Sequence, residues 1–150
     1  MPTTLQEVQR RLNQDEPSYP QLAMELGADA LPHLATLANG RDPMLASKAA
    51  YLAGVIGGAG AVPVIEAAAR RPEPAVRAGA AAAVRNLDAK LAEGVATRLL
   101  ADPDVGVRKV TVQSVGRLRS PAIDERLRAI QRTDPEPMLR EQAGRVLLQR

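Results

Sequence analysis

DPMLASKAAYLAGV from Asp42, RPEPAVRAGAAAAV from Arg71, DPDVGVRKVTVQSV from Asp102 and DPEPMLREQAGRVL from Asp134 are four copies of one pattern. Each opens on a residue followed by proline, places a basic residue five positions after that proline (Lys48, Arg77, Arg108 and Arg140), and continues in small and apolar residues. The starts lie 29, 31 and 32 residues apart. That is the length of two short helices and their turns, within the period range of helical solenoids.

Local chemistry supplies a reason for each part of the pattern. Asp42, Asp102 and Asp134 are expected to cap the free N–H groups of a first helical turn, and Pro43, Pro72, Pro103 and Pro135 to occupy the first helical position, where a missing N–H costs nothing. From there Leu45, Ala49, Leu52 and Val55, or Val76, Ala80, Ala83 and Val84, recur at helical spacing and form a stripe for burial. Between these helices lie further apolar segments, LPHLATLA, VPVIEAAA, KLAEGVATRLL and AIDERLRAI. Each repeat therefore reads as a helical hairpin.

Composition agrees with this reading. Apolar residues make up 45% of the 150-residue chain, yet there is no Phe or Trp and the only aromatics are Tyr19 and Tyr51. Ala, Leu and Val must fill the interior. Alanine is the best helix former and lets helix backbones approach, whereas strands favour β-branched and aromatic residues, scarce here apart from valine. The fold class is all-α, an α-solenoid of about five hairpins forming one domain over residues 1–150.

The pattern resembles the HEAT repeats of the armadillo-like solenoids, especially the bacterial subgroup named after phycobilisome lyases. Two features carry the resemblance: the recurring Asp-Pro opening with its basic residue, and LAGVIGGAGAVPVI from Leu52 to Ile65, close to that subgroup's helix, glycine turn and Ala-Val-Pro restart. It covers residues 28–150 as four repeats. Residues 1–27 read as a degenerate hairpin that caps the stack with a polar outer face. Two departures stand out: Arg71 replaces Asp, and Ser47 replaces the Val or Leu of the other copies. The resemblance implies that Asp42, Asp102 and Asp134 with Lys48, Arg77, Arg108 and Arg140 form a structural ladder stitching neighbouring turns, left incomplete at the departures. A binding ridge is the alternative role for these basic residues.

Several chemistries are excluded or disfavoured. Without cysteine there are no disulfides, thiol nucleophiles or thiolate metal sites, and with His33 as the single histidine there is no histidine-clustered metal site. Gly54, Gly57, Gly58 and Gly60 follow a helix instead of a strand, so they read as a helix cap and turn, not as a phosphate cradle. Acidic pairs such as Asp15 with Glu16 and Asp124 with Glu125 sit at helix starts, where carboxylates complement the dipole. A DNA-repair glycosylase family also uses HEAT-like repeats, but its stacking aromatics are missing here. The expectation is a non-catalytic protein with no cofactor. The N-terminus lacks the apolar run of a signal peptide and no segment approaches a membrane span, so a cytoplasmic location without membrane contact is expected.

A protein or peptide partner is expected on the concave face, which second helices of a solenoid generally line. There repeats one and two place Ala49, Ala53, Ala78 and Ala82, and repeats three and four place Lys109, Gln113, Glu141 and Arg145. The groove should be smooth at its start and charged towards its end. Lys109, Gln113, Arg117, Glu141 and Arg145 are the candidate partner residues, with Tyr51 as an aromatic anchor further away. Net charge is +3, and Arg117, Arg119, Arg126, Arg128 and Arg132 concentrate basic charge in the C-terminal half. Sequence-independent nucleic-acid binding there is the rival reading, with steep salt dependence as its signature. A lyase-related enzyme or enzyme subunit is a weaker one. Self-association through the end hairpins is also open.

Overall fold

A computed structural model describes residues 3–150, in which ten α-helices and no strand occur. They follow one another as five hairpins. The first joins α1 (Leu5–Leu12) to α2 (Tyr19–Leu26), the second α3 (Leu31–Ala38) to α4 (Pro43–Ile56), and the third α5 (Val62–Ala69) to α6 (Pro74–Ala83). The fourth joins α7 (Ala89–Leu100) to α8 (Val105–Ser114), and the fifth α9 (Pro121–Thr133) to α10 (Pro137–Leu148). Even-numbered helices pack on even-numbered ones and odd on odd, giving two layers with the core between them. Met1 and Pro2, the first residues of the expected capping span, lie outside the described residues. Among the described residues no helix is long and apolar enough to cross a membrane.

The expected stripes are buried: Leu45, Leu52, Val76, Ala80, Ala83 and Val84 are all at 5% exposure or less, whereas Val55 is only half-buried. The helix starts differ from expectation in three repeats. Pro43 does open α4, with the Asp42 carboxylate accepting from the N–H groups of Met44 and Leu45. In the other repeats the helix begins two residues later than expected, at Pro74, Val105 and Pro137. A residue that precedes proline is pushed out of the helical region, so Glu73 before Pro74 and Glu136 before Pro137 are extended and leave Pro72 and Pro135 in the turn. In the remaining repeat Asp104 is the cap, accepting from the Val107 N–H at 2.9 Å. Asp102 and Asp134 are therefore not N-caps.

The glycine turn behaves as read. Gly57 ends α4 at φ 78° and Gly58 follows at φ 78°, a region that residues with a side chain adopt only under strain. Gly54 has a packing reason instead: a Cβ there would lie 2.6 Å from the Ala83 carbonyl oxygen, so α4 and α6 meet backbone to backbone. Gly79 likewise faces Ser47, whose Cα would be 3.0 Å from an added Cβ. The Ser47 departure is thus matched to a glycine on the next repeat, since a Val or Leu would need the space Gly79's neighbourhood lacks. Close approach also buries Ala49 and Ala53 completely, so they do not line a groove as expected. Helix α4 is covered by α2, α3, α5 and α6 together.

Gly94 presents the opposite case. It lies within α7, exposed, with nothing within 4 Å of an added Cβ. Gly94→Ala is expected to stabilise by up to about 1 kcal/mol through helix propensity, read as a higher midpoint in urea denaturation.

Candidate functional site

The turns within the hairpins stack along one edge and are tied there by the ladder. Arg77 holds Asp102 with two parallel bonds, Nε to Oδ2 at 2.9 Å and Nη2 to Oδ1 at 3.2 Å, while its Nη1 donates to the carbonyls of Arg71 and Pro72. Arg108 repeats the arrangement one hairpin on, with Asp134 at 2.8 and 3.2 Å and Nη1 on the carbonyls of Asp102 and Pro103. Each carboxylate also accepts a backbone N–H two residues on, from Asp104 or Glu136, both at 2.9 Å. Asp102 and Asp134 are buried, and these donors satisfy them.

The ladder changes chemistry at its departures without breaking the edge. Lys48 reaches back to the Leu12 carbonyl at 3.0 Å. Arg71 donates to the carbonyls of Ala38 and Gly40 at 2.8 and 2.6 Å, and a fork of two bonds to its neighbour Glu73 balances its charge. The Arg71 guanidinium holds the Glu73 carboxyl below its ordinary range. With Arg71 in place of Asp, Lys48 has no carboxylate partner at that ladder position, and both cations bond instead to carbonyls of the hairpin before them. Arg140 keeps the carbonyl anchor, Nη1 to Asp134 O at 2.6 Å, but no carboxylate meets its Nε or Nη2 among the described residues.

A repeated hairpin with an Arg–Asp edge ladder is the arrangement that decides the family, and the HEAT repeats family model matches residues 62–148. The chain belongs to the HEAT repeats. A solved structure with the same architecture is the complex of CpcE and CpcF of phycocyanin lyase from Nostoc sp. PCC7120. It matches with a TM-score of 0.73 over 95% of this chain and 97% of that one, at 20% sequence identity, a likeness of fold. No curated protein matches the chain.

Three of the six candidate partner residues of this HEAT-repeat chain, Lys109, Gln113 and Arg117, line two clefts along one side of α8, whereas Tyr51, Glu141 and Arg145 line neither. Val105, Lys109 and Gln113 stand four residues apart, one face of a helix, and Arg117 continues the line just past the helix end. All four are exposed. Near the start of α8, Val105, Gly106 and Lys109 face Glu136, Met138, Leu139 and Gln142 of the α10 segment across a cleft of about 240 Å³. Met138 is 59% exposed and Val105 46%, high for apolar side chains flanking one cleft. Gln142 also lines this cleft, and its Oε1 atom is buried with no hydrogen-bond partner among the described residues. Beyond the end of α8, Gln113 and Arg117 line a larger cleft of about 470 Å³ with Arg85, Asn86, Ser114, Gly116 and Gln149.

Sequence reasoning missed Val105, Met138, Gln142 and Arg85. The signal for Met138 and Val105 was present: they are apolar residues off the burial stripe at a helix start. Glu141 and Arg145 are paired with each other at 2.7 Å on the exposed side of α10. Tyr51 stands apart, half-buried edge-on against Tyr19 with ring centroids 4.9 Å apart at 78°. Burial, then the neighbouring Tyr51, raises the Tyr19 phenol above its ordinary value. His33 is half-buried and its Nε2 donates to the Thr3 carbonyl at 2.8 Å.

The basic concentration is balanced only in part: Arg117, Arg119 and Arg126 have no ion pair among the described residues. Arg128 and Arg132 both reach Glu125, at 3.2 and 4.0 Å, and Arg150 is tied to Asp124 and to the carbonyls of Val115, Gly116 and Leu118. Arg117 and Arg119 lie in the connection after α8 and not on the helix. Among the described residues no group of three His, Asp or Glu side chains is placed to hold a metal ion.

Proposed function

We propose that this HEAT-repeat chain is a non-catalytic scaffold that holds a protein segment against α8 and α10, on the concave side of the stack. One observation carries the reading: the cleft between Val105, Lys109, Met138 and Gln142 is open and lined mainly by apolar surface, with Val105 and Met138 exposed on its two sides. A peptide supplies what such a cleft lacks, an apolar side chain to cover Val105 and Met138. Lys109 and Glu136 at the rim then select charges of opposite sign on either side of the apolar residue. The close backbone approach of α4 to α6 at Gly54 and Gly79 supports an inner position for the even-numbered layer. The sharing of its architecture with a two-protein lyase complex favours a role in a protein assembly.

Nucleic-acid binding is the second reading, favoured by exposed Arg117 and Arg85 around one cleft. Affinity capture from lysate, with and without nuclease, separates the two when the wild type is compared with Lys109→Glu/Met138→Asp. The expected result is a protein that survives nuclease and is lost with the variant. Recovery only of nuclease-sensitive material, falling steeply with salt, overturns the scaffold reading.

A further inference from the structure

The ladder predicts what should meet Arg140. In two successive hairpins an arginine anchored through Nη1 to its own turn presents Nε and Nη2 to the Asp that opens the next turn, Asp102 or Asp134, each followed by proline. Arg140 is anchored in the same way to Asp134 O, and its fork points onward without a carboxylate among the described residues. At the other end of the same edge stands the α1–α2 turn, located there by the Lys48 bond to Leu12 O. That turn contains Asp15 and then Glu16–Pro17, the same acid–proline dipeptide. Both carboxylates are exposed, and neither has a hydrogen bond or ion pair among the described residues.

The two end hairpins are otherwise complementary as well. Residues 3–27 hold Glu7, Asp15, Glu16 and Glu25 against Arg10 and Arg11, and Arg11 is already paired with Glu25 at 2.7 Å. Residues 120–150 hold six arginines against five acids, with Asp134 and Asp124 consumed by Arg108 and Arg150. Each end also exposes one large apolar side chain almost fully, Met24 at 83% and Leu148 at 88%.

We propose that a second copy of this chain docks head to tail, the Arg140 fork of one copy closing on Glu16 and Asp15 of the next so that the edge ladder runs on between molecules. The contact joins unlike surfaces, so a docked pair still presents one free surface of each kind and the assembly grows past a pair. One ion-paired contact with two apolar residues is small, which makes it weak and salt-sensitive.

Sedimentation velocity of the whole chain in low salt tests this, across about 10 to 500 µM, where small interfaces associate. The expected result is a weight-average mass that climbs steadily with concentration, roughly doubling or more, and falls back in high salt. Arg140→Glu and Glu16→Lys should each abolish the climb, and the two combined in one chain should restore it. Glu16 lies in an exposed turn, so Glu16→Lys keeps the test readable if Arg140→Glu unfolds. A wild type that stays monomeric throughout, a mass that stops at the dimer, or a climb that Glu16→Lys leaves unchanged overturns the proposal.

Discussion

Arg108→Ala is expected to destabilise the protein by about 3–5 kcal/mol, the range seen when one partner of a buried ion pair is removed. Asp134 is the reason: its side chain is 4% exposed, and without Arg108 it keeps a single N–H donor, from Glu136. Burying a carboxylate with so little compensation is far more costly than losing the attraction itself. The Glu141–Arg145 pair gives the contrast. Both side chains are about two-thirds exposed, so Arg145→Ala should change stability by less than about 0.5 kcal/mol. Because each hairpin contacts mainly its neighbours, the loss should be local as well as large. Hydrogen exchange is expected to speed up across α9 and α10 while α3 to α6 stay protected, with urea denaturation giving the total.

Gly54→Ala is the second large effect, and its sign is decided by competing magnitudes. Alanine in a helix interior gains about 1 kcal/mol over glycine by propensity. At position 54 the added Cβ would meet the Ala83 carbonyl oxygen at 2.6 Å, and this neighbour is backbone, which cannot rotate away. Separating α4 from α6 to make room strains or empties the packing around Ala46, Ala50, Ala80 and Ala83, at roughly 1–3 kcal/mol for overpacking of this kind. Overpacking outweighs propensity, so the variant should melt at lower temperature than the wild type. Gly94→Ala, the same change with open space around it, should melt higher, and the opposite signs isolate packing from propensity.

The fold was legible in the sequence because its signals are local and repeated. The Pro and basic positions, the alanine stripes and the glycine restart at Gly57 each report on a turn or two of helix, and repetition multiplied them. Two of the late helix starts have a local cause in the sequence: Pro74 and Pro137 follow Pro72 and Pro135 by two, and the residue between them is excluded from the helix. Asp102 and Asp134 could not be separated from ordinary caps by sequence alone, since capping and inter-repeat pairing both call for an aspartate in that turn. Ala49 and Ala53 illustrate a different limit. An alanine suits an open groove and a tight helix contact equally, and only the approach of α6 to α4 decides between them.

The candidate site was half legible. Lys109, Gln113 and Arg117 were found as a line of exposed residues, which helical spacing is enough to define. Their setting was not, because a cleft depends on how far α8 stands from α10, and Val105, Met138 and Gln142 become a site only through that distance. Tyr51 was singled out for being aromatic, and its packing against Tyr19 is a contact between hairpins that periodicity does not reveal.

Photo-crosslinking from single positions tests the scaffold surface most directly. A photoreactive residue at Met138 or at Gln113, on the α8–α10 side, should form discrete protein adducts in source cells, and one at Arg70, exposed where α5 ends on the other layer, should form none. Adducts from Arg70 with none from Met138 or Gln113 would contradict the assignment of the partner to the α8–α10 face.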